Sequence, residues 1–519
     1  MKANTSLSNV FTVPFFEDEI KEDSIFFTNI LTRSSQEKII DRALLVHSQG
    51  KIDEAKKYYQ FLYDRGLANQ QILNNYGSIY LNMKDYQRAK ILFKKSIKLY
   101  PNSSHAYANL ALLYRQLKKL DEAKLFTLKA IKINPNSAIV HYNLGLIYKD
   151  LKNIDQATLS IKKALKLKSN FAEAHNLYAS LLREIGKLDE SVISAHRAIK
   201  FKPEYIQAYL NLARTLRYLG KFEEALEIYN KILKADLTNI GFKLETLTDI
   251  LIIEFLRGSF NKIDDYLKQI SYFINIGALE QIEEKMNREH TFIFYKFISI
   301  LFPKVIKNSN LELNNIIPHI GESHCLSFAH NSLLISSKIK YIKPILIEGG
   351  KAWHFANNKN NKWKSSLLKQ IENFKSCKEI FISFGEIDCR EDEGILYFAK
   401  KYKLNIHEVC KETIKSYVDF MEINLSDYFS TRYYFGVPAP VIQNLKPTSS
   451  DIQRIELIKI YNKFLKIEVL KKGCFFVDLF ELTADDVCHN NKIHMCDNTH
   501  LSPNCLPLLF HDYLYRTLK

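Results

Sequence analysis

Three side chains in the second half of the sequence could together perform nucleophilic chemistry. Ser323 lies in Gly321-Glu322-Ser323-His324, at the end of the apolar run Ile316-Ile317-Pro318-His319-Ile320, which reads as a strand stopping in a tight turn. Far downstream, Asp497-Asn498-Thr499-His500-Leu501 puts a carboxylate three residues before a histidine. A serine hydroxyl is a weak nucleophile until a base takes its proton, and an imidazole is a better base when an acid fixes its tautomer. Each residue alone has a plainer reading: Ser323 as a turn residue, His500 as a core or capping histidine, Asp497 as the start of a turn. Taken together and in this order they form a Ser/His/Asp set.

The elements that must position this set are legible as an alternation. Short β-branched and aromatic runs predict strands over Ile316 to Ile320, Pro344 to Ile347, Glu379 to Phe384, Tyr433 to Gly436 and Cys474 to Asp478. Helix-like segments, Trp363 to Phe374, His407 to Ile423 and Asp451 to Leu470, fall between them. Such alternation implies a mainly parallel sheet between helical layers. Ligands of these sheets sit at the carboxyl ends of the strands. Ser323, Gly349-Gly350 and Gly385-Glu386-Ile387-Asp388 all follow predicted strands, so all three are expected on one rim.

These blocks resemble the SGNH/GDSL hydrolase superfamily over roughly the last 200 residues of the sequence. Gly321-Glu322-Ser323 resembles the first block, which carries the nucleophile. Gly349-Gly350 lies where the second block lends a backbone N–H to the oxyanion hole. Gly385-Glu386-Ile387-Asp388 lies where the third block reads Gly-x-Asn-Asp, and Asp497 to His500 matches the Asp-x-x-His of the fifth. The resemblance implies a flavodoxin-like, three-layer α/β domain and acyl transfer. Ser323 would be the nucleophile, His500 the base, Asp497 the orienting acid, and Gly349, Gly350, Glu386, Asp388 and Arg390 the oxyanion and substrate contacts. It implies acyl groups of a carbohydrate or lipid as substrate, with water or a sugar hydroxyl as acceptor, and no cofactor. Two departures stand out. Glu322 replaces an aspartate, and Ile387 replaces the asparagine that donates to the oxyanion, a loss typically costing about 10²- to 10³-fold in rate. Arg390, oriented by Glu386 or Asp388, could hold a carboxylate in a bidentate fork.

A rival constellation is Cys488, His489, His494, Cys496 and His500, within 13 residues. Thiols and imidazoles bind zinc, but no Cys-x-x-Cys unit is present and His500 is better explained as the base, so no metal is expected. His324 and His354 are expected near the same rim, and Trp353 could form an aromatic wall. There is no Gly-x-x-x-x-Gly-Lys-Ser/Thr loop, so nucleotide hydrolysis is not indicated.

The first half reads as an arm. Self-similarity recurs every 34 residues, with units beginning at Gln36, Gln70, Ser104, Ala138, Ala172 and Ile206 and the last ending at Asn239; six units of 34 make the 204 residues from 36 to 239. The period is that of tetratricopeptide (TPR) repeats, and Tyr107, Leu110, Ala111, Tyr114, Ala123, Ala130 and Pro135 show the residue pattern in the third unit. Small residues at the eighth and twentieth positions let antiparallel helices approach, and proline ends the second helix. Such an all-α solenoid presents a concave groove. The sixth position is Asn75, Asn109, Asn143 and Asn211, interrupted by Leu177. This is similar to the asparagine ladder in the repeats of O-linked N-acetylglucosamine transferase, which implies a protein or peptide partner in the groove, since amides pair with any main chain. Residues 1–35 are read as an N-terminal extension, 240–310 as a helical cap and connector, and 311–519 as the α/β domain.

Composition sets the outer limits. A chain of 519 residues exceeds one ordinary core. The formal charge of 73 − 57 = +16 comes largely from lysines spread along helices, a solvated surface rather than a nucleic-acid arm. Met1 to Ile20 lacks the basic and apolar regions of a secretory signal, and Phe292 to Phe302 is too short for a membrane span. All eight cysteines lie at or beyond Cys325 without paired spacing, as expected of reduced thiols in a cytoplasmic protein. The sequence thus predicts a TPR arm carrying an SGNH-like esterase or acyltransferase. The alternative is an interaction scaffold with a weak or inert α/β domain.

Overall fold

The computed structural model describes residues 33–235, 239–282, 285–305, 315–335, 338–391, 393–442, 447–485, 495 and 500–505. The chain divides into two compact units, Met1–Leu181 and Leu182–Lys519.

The first unit is a row of antiparallel helix pairs: α1 (Arg33–Ser48) with α2 (Ile52–Asp64), α3 (Gln70–Asn82) with α4 (Tyr86–Leu99), α5 (Ser104–Gln116) with α6 (Leu120–Ile133), and α7 (Ala138–Asp150) with α8 (Ile154–Leu167), followed by most of α9 (Ala172–Glu184). Starts at Gln70, Ser104, Ala138 and Ala172 reproduce the 34-residue grid. Side chains set several of these starts: Asn69 caps α3, Asp85 caps α4, Ser103 caps α5 and Asn153 caps α8, each accepting from an otherwise unpaired N–H. The turn inside each pair needs one left-handed residue. It falls on Gly50, Lys84, Lys118, Lys152, Gly186 and Gly220, all with φ between 59° and 80°. Close approach explains the small residues, because a Cβ on Gly77 would lie 2.5 Å from the Phe93 ring and one on Gly145 would lie 2.5 Å from Ile161.

The second unit continues with α10 (Leu188–Phe201), α11 (Ile206–Tyr218) and α12 (Phe222–Lys234), then α13 (Ile240–Arg257), α14 (Ile263–Asn275) and α15 (Lys285–Leu301). These last three occupy the expected connector. The strands are β1 (Ile316–Gly321), β2 (Ser332–Ile335), β3 (Lys338–Leu346), β4 (Glu379–Ser383), β5 (Thr431–Phe435) and β6 (Phe475–Val477). The helices among them are α16 (Ala352–Ala356), α17 (Lys362–Ile371), α18 (Gly394–Tyr402), α19 (Ile406–Leu425), α20 (Ser449–Lys471) and α21 (Leu479–Thr483). The sheet runs β2-β3-β1-β4-β5-β6, parallel except for the antiparallel β2–β3 pair.

The sheet is therefore mixed and mostly parallel. Strand β2 and helix α18 were not anticipated from the sequence, and β3 starts six residues before the expected Pro344. Its first half, Lys338 to Lys343, is half lysine and carries no long apolar run.

One apolar core packs β1, β3 and β4 against α16, α17, α19 and α20, through Ile320, Ile345, Ile382, Phe355, Leu367, Tyr417 and Tyr461. A second joins the connector to the α/β region: Leu251, Phe255, Phe297 and Phe302 share it with Cys325, Leu326, Ala329 and Leu346. Cys325 and Leu326 belong to the turn that carries Ser323, so helices α13 and α15 pack directly beneath that turn.

Candidate active site

Strand β1 ends at Gly321, and a short 3-10 turn, Ser323 to Leu326, follows. Gly321 is required because a Cβ there would meet Ser383 Oγ at 2.2 Å. The turn leaves Ser323 half-buried at the strand end, between buried Glu322 and His324. His500 Nε2 lies 2.9 Å from Ser323 Oγ, across 177 residues of chain. The sequence-predicted nucleophile and base therefore meet at hydrogen-bonding distance. Asp497 lies outside the described residues, as do Cys488, His489, His494 and Cys496.

The His500 ring is 5% exposed and has two aromatic neighbours. Phe297, on α15, stacks on it with ring centroids 3.7 Å apart and planes 21° apart. The His324 centroid is 5.0 Å away. Nothing local in the apolar run around Phe297 signals this contact.

The other rim residues occupy the expected strand ends but do different work. The Gly350 N–H donates to the Ile347 carbonyl at 2.8 Å, closing a turn in which Gly349 has φ of 64°. The expected oxyanion donor is thus engaged within its own loop. Asp388 accepts from the Ala352 and Trp353 N–H groups at 2.7 and 3.1 Å. It fastens the start of α16, and hence the Gly349-Gly350 loop, to the end of β4; this is a structural bolt rather than a substrate contact. Burial pushes its carboxyl up to about 7, against the two N–H groups that favour the charged form.

Arg390 does not present an open fork. Its Nε and Nη2 donate to Glu386 at 3.0 and 2.6 Å, and Arg454 Nη2 donates to the same carboxylate at 2.8 Å. Burial opposes the charge on Glu386, but Arg390 in particular outweighs it and holds the carboxyl down at about 2. Glu322 behaves oppositely. Burial, then the nearby Glu386 charge, lifts its carboxyl well above the usual range, although one oxygen accepts from the Glu386 N–H at 3.1 Å. Ligand atoms of Glu322, His324 and Glu386 lie within 4.8 Å of one another. Two guanidiniums on Glu386 repel a cation there, so the cluster is better suited to fixing the turn than to holding a metal.

His354 stacks on Trp363 with centroids 3.4 Å apart, and its Nδ1 accepts from the Lys351 N–H. Burial lowers its pKa to about 3, so it is neutral packing on the loop. Glu348, which precedes Gly349, is gripped by helices from outside the sheet. Arg217 on α11 reaches it at 2.6 Å and His290 on α15 at 2.8 Å.

Among the asparagines, Asn75 keeps partial exposure, with its amide donating to Tyr59 at 3.4 Å. Asn109 and Asn143 are only 6% and 3% exposed. Asn211 accepts from Arg183 at 3.2 Å. The Asn109 amide donates to Ser78 Oγ at 3.4 Å.

Two tetratricopeptide repeat models match this chain, one at residues 92–124 and 126–158, the other at 70–103 and 206–239. The first half therefore carries tetratricopeptide repeats, which imply a protein–protein interaction role. Similar solved structures include a thermophilic TPR protein of Thermus thermophilus, at 21% identity over 35% of this chain and 98% of that one, TM-score 0.32. Another is a TPR protein of Parabacteroides merdae, at 19% identity over 51% of this chain and 99% of that one, TM-score 0.38. No curated protein matches this chain. Among the described residues no helix is long and apolar enough to cross a membrane.

Proposed function

We propose that the chain is an SGNH-like serine esterase or acyltransferase, 311–519, borne by a six-unit arm, 36–239, and a connector, 240–310. The observation that carries this reading is the 2.9 Å approach of His500 Nε2 to Ser323 Oγ at the carboxyl end of β1. The strand order supports it: the parallel strands β3-β1-β4-β5-β6 follow the flavodoxin-like pattern, whose switch point lies beside the first strand.

In the reaction, His500 Nε2 takes the proton of Ser323 as Oγ bonds to the acyl carbon. The imidazolium returns that proton to the departing alkoxide as the ester bond breaks. Water or a sugar hydroxyl then repeats the sequence in reverse on the acyl-serine, with Asp497 orienting the ring. The Ser323 N–H is the oxyanion donor this scheme requires; the Ile387 side chain supplies none. Acyl groups of a glycan are the proposed substrate, and the repeats recruit a protein partner. Cys325, Cys389, Cys410 and Cys474 are buried thiols, which favours a reducing, cytoplasmic setting.

One observation favours an interaction scaffold with a slow or inert site instead. The Ile387 side chain offers no donor, and the Gly350 N–H is already bonded. A fluorophosphonate probe separates the two readings. The enzyme labels at Ser323 and hydrolyses p-nitrophenyl acetate, and both signals vanish in Ser323→Ala. An unlabelled, inactive wild type leaves the scaffold.

A further inference from the structure

Helix α15 does more than connect. It touches the rim at two points on one face. His290 Nε2 lies 2.8 Å from the Glu348 carboxylate, next to the glycine turn. Seven residues later, two helical turns or roughly 10 Å along the axis, Phe297 lies flat on the ring of His500. Phe294 and Ile298, between and beside them, are buried in the same apolar core as Cys325 and Leu326 of the serine turn. Phe297 is itself 1% exposed, so its ring plane is fixed by packing.

The contact has two physical consequences. A ring stacked face to face cannot rotate about its outer torsion without losing the contact, so Phe297 limits the orientations from which His500 Nε2 can reach Ser323. The face of a phenyl ring also carries negative quadrupole potential, which favours a cation above it. His500 is neutral before it accepts the serine proton and cationic afterwards. The attraction is therefore stronger when the proton has moved, the condition under which a contact speeds a reaction rather than merely tightening a ground state.

We propose that Phe297 is a positioning residue of the Ser323–His500 pair, so that the helical connector supplies one wall of the reaction centre. This rests on the serine-nucleophile reading of the site. Phe297 acts through the His500 ring on which it lies.

The test uses the full chain and a fluorophosphonate as probe. Phe297→Leu keeps an apolar side chain but removes the ring. Its labelling rate at Ser323 is expected to fall about three- to tenfold, the range of an aromatic pair. Pentafluorophenylalanine incorporated at position 297 keeps a six-membered ring and inverts its quadrupole. It should also slow labelling while melting like the wild type, an outcome that packing alone does not produce. Wild-type labelling rates in both proteins would overturn the proposal. If the wild type itself fails to label, the serine reading falls. The stack is then judged by NMR: His500 ring protons should be displaced upfield in the wild type and lose that displacement in Phe297→Leu. Unchanged proton shifts would overturn the stack as well.

Discussion

Arg217 offers the sharpest test of how the helices hold the rim. Its guanidinium is 9% exposed and pairs with Glu348 at 2.6 Å and Asp249 at 3.5 Å. Burial alone would raise the Glu348 carboxyl, but Arg217 and then His290 hold it far below the usual range. In Arg217→Met the apolar stem is kept while Glu348 loses its main partner and Asp249 keeps Tyr229 and Arg214. Breaking a buried pair by removing one member costs about 3–5 kcal/mol. Glu348 keeps 24% exposure and retains His290, so the lower end applies, about 3 kcal/mol. That corresponds to roughly 4 °C in melting temperature for a unit of this size. Both tryptophans of the chain, Trp353 and Trp363, lie in the second unit, and Trp363 Nε1 donates to the Glu348 carbonyl at 3.0 Å. Tryptophan fluorescence in a urea titration therefore reports the perturbed unit directly. A double-mutant cycle with Glu348→Gln should return a coupling of about 1–3 kcal/mol. A loss below about 0.5 kcal/mol, or strict additivity, would mean that water already solvates these charges and that the rim is held by apolar packing alone.

Two further outcomes follow from particular residues. Lys118 has φ of 59° at a turn where Gly186 and Gly220 stand in the later repeats. Relief of roughly 1–2 kcal/mol of left-handed strain, less about 0.5–1 kcal/mol of added chain entropy, predicts that Lys118→Gly stabilises the first unit by about 0.5–1 kcal/mol; a lower thermal midpoint by circular dichroism would contradict it. Glu322 keeps its proton in the folded chain to a higher pH than the unfolded value of 4.5. Between those two pKa values the unfolded chain releases a proton that the folded chain retains, so stability drops as pH rises above about 4.5. Glu322→Gln removes that drop, and its melting temperature relative to wild type should be higher at pH 8 than at pH 4.5. An offset independent of pH would show that Glu322 is solvated.

The sequence by itself determined much of this protein. A strict 34-residue period cannot be written without fixing helix starts, because each repeat must bury the same small residues against the same large ones; Gly77 and Gly145 record that demand. The alternation beyond residue 311 set most of the parallel sheet, since a strand buried on both faces needs an unbroken apolar run. The serine turn was legible too, because Gly321, Ser323 and the run before them are neighbours in the chain. What the sequence could not show are contacts that join distant segments. Phe297 reads as core whether or not an imidazole lies on it. Arg390 reads as an open cation until Glu386 and Arg454 are seen around it. Gly350 reads as a free N–H donor until the Ile347 carbonyl closes the turn. Residue type and spacing declare what a side chain is able to bond. Which partner it takes depends on what the folded chain leaves within about 3 Å, and that is decided by packing between elements the period does not encode.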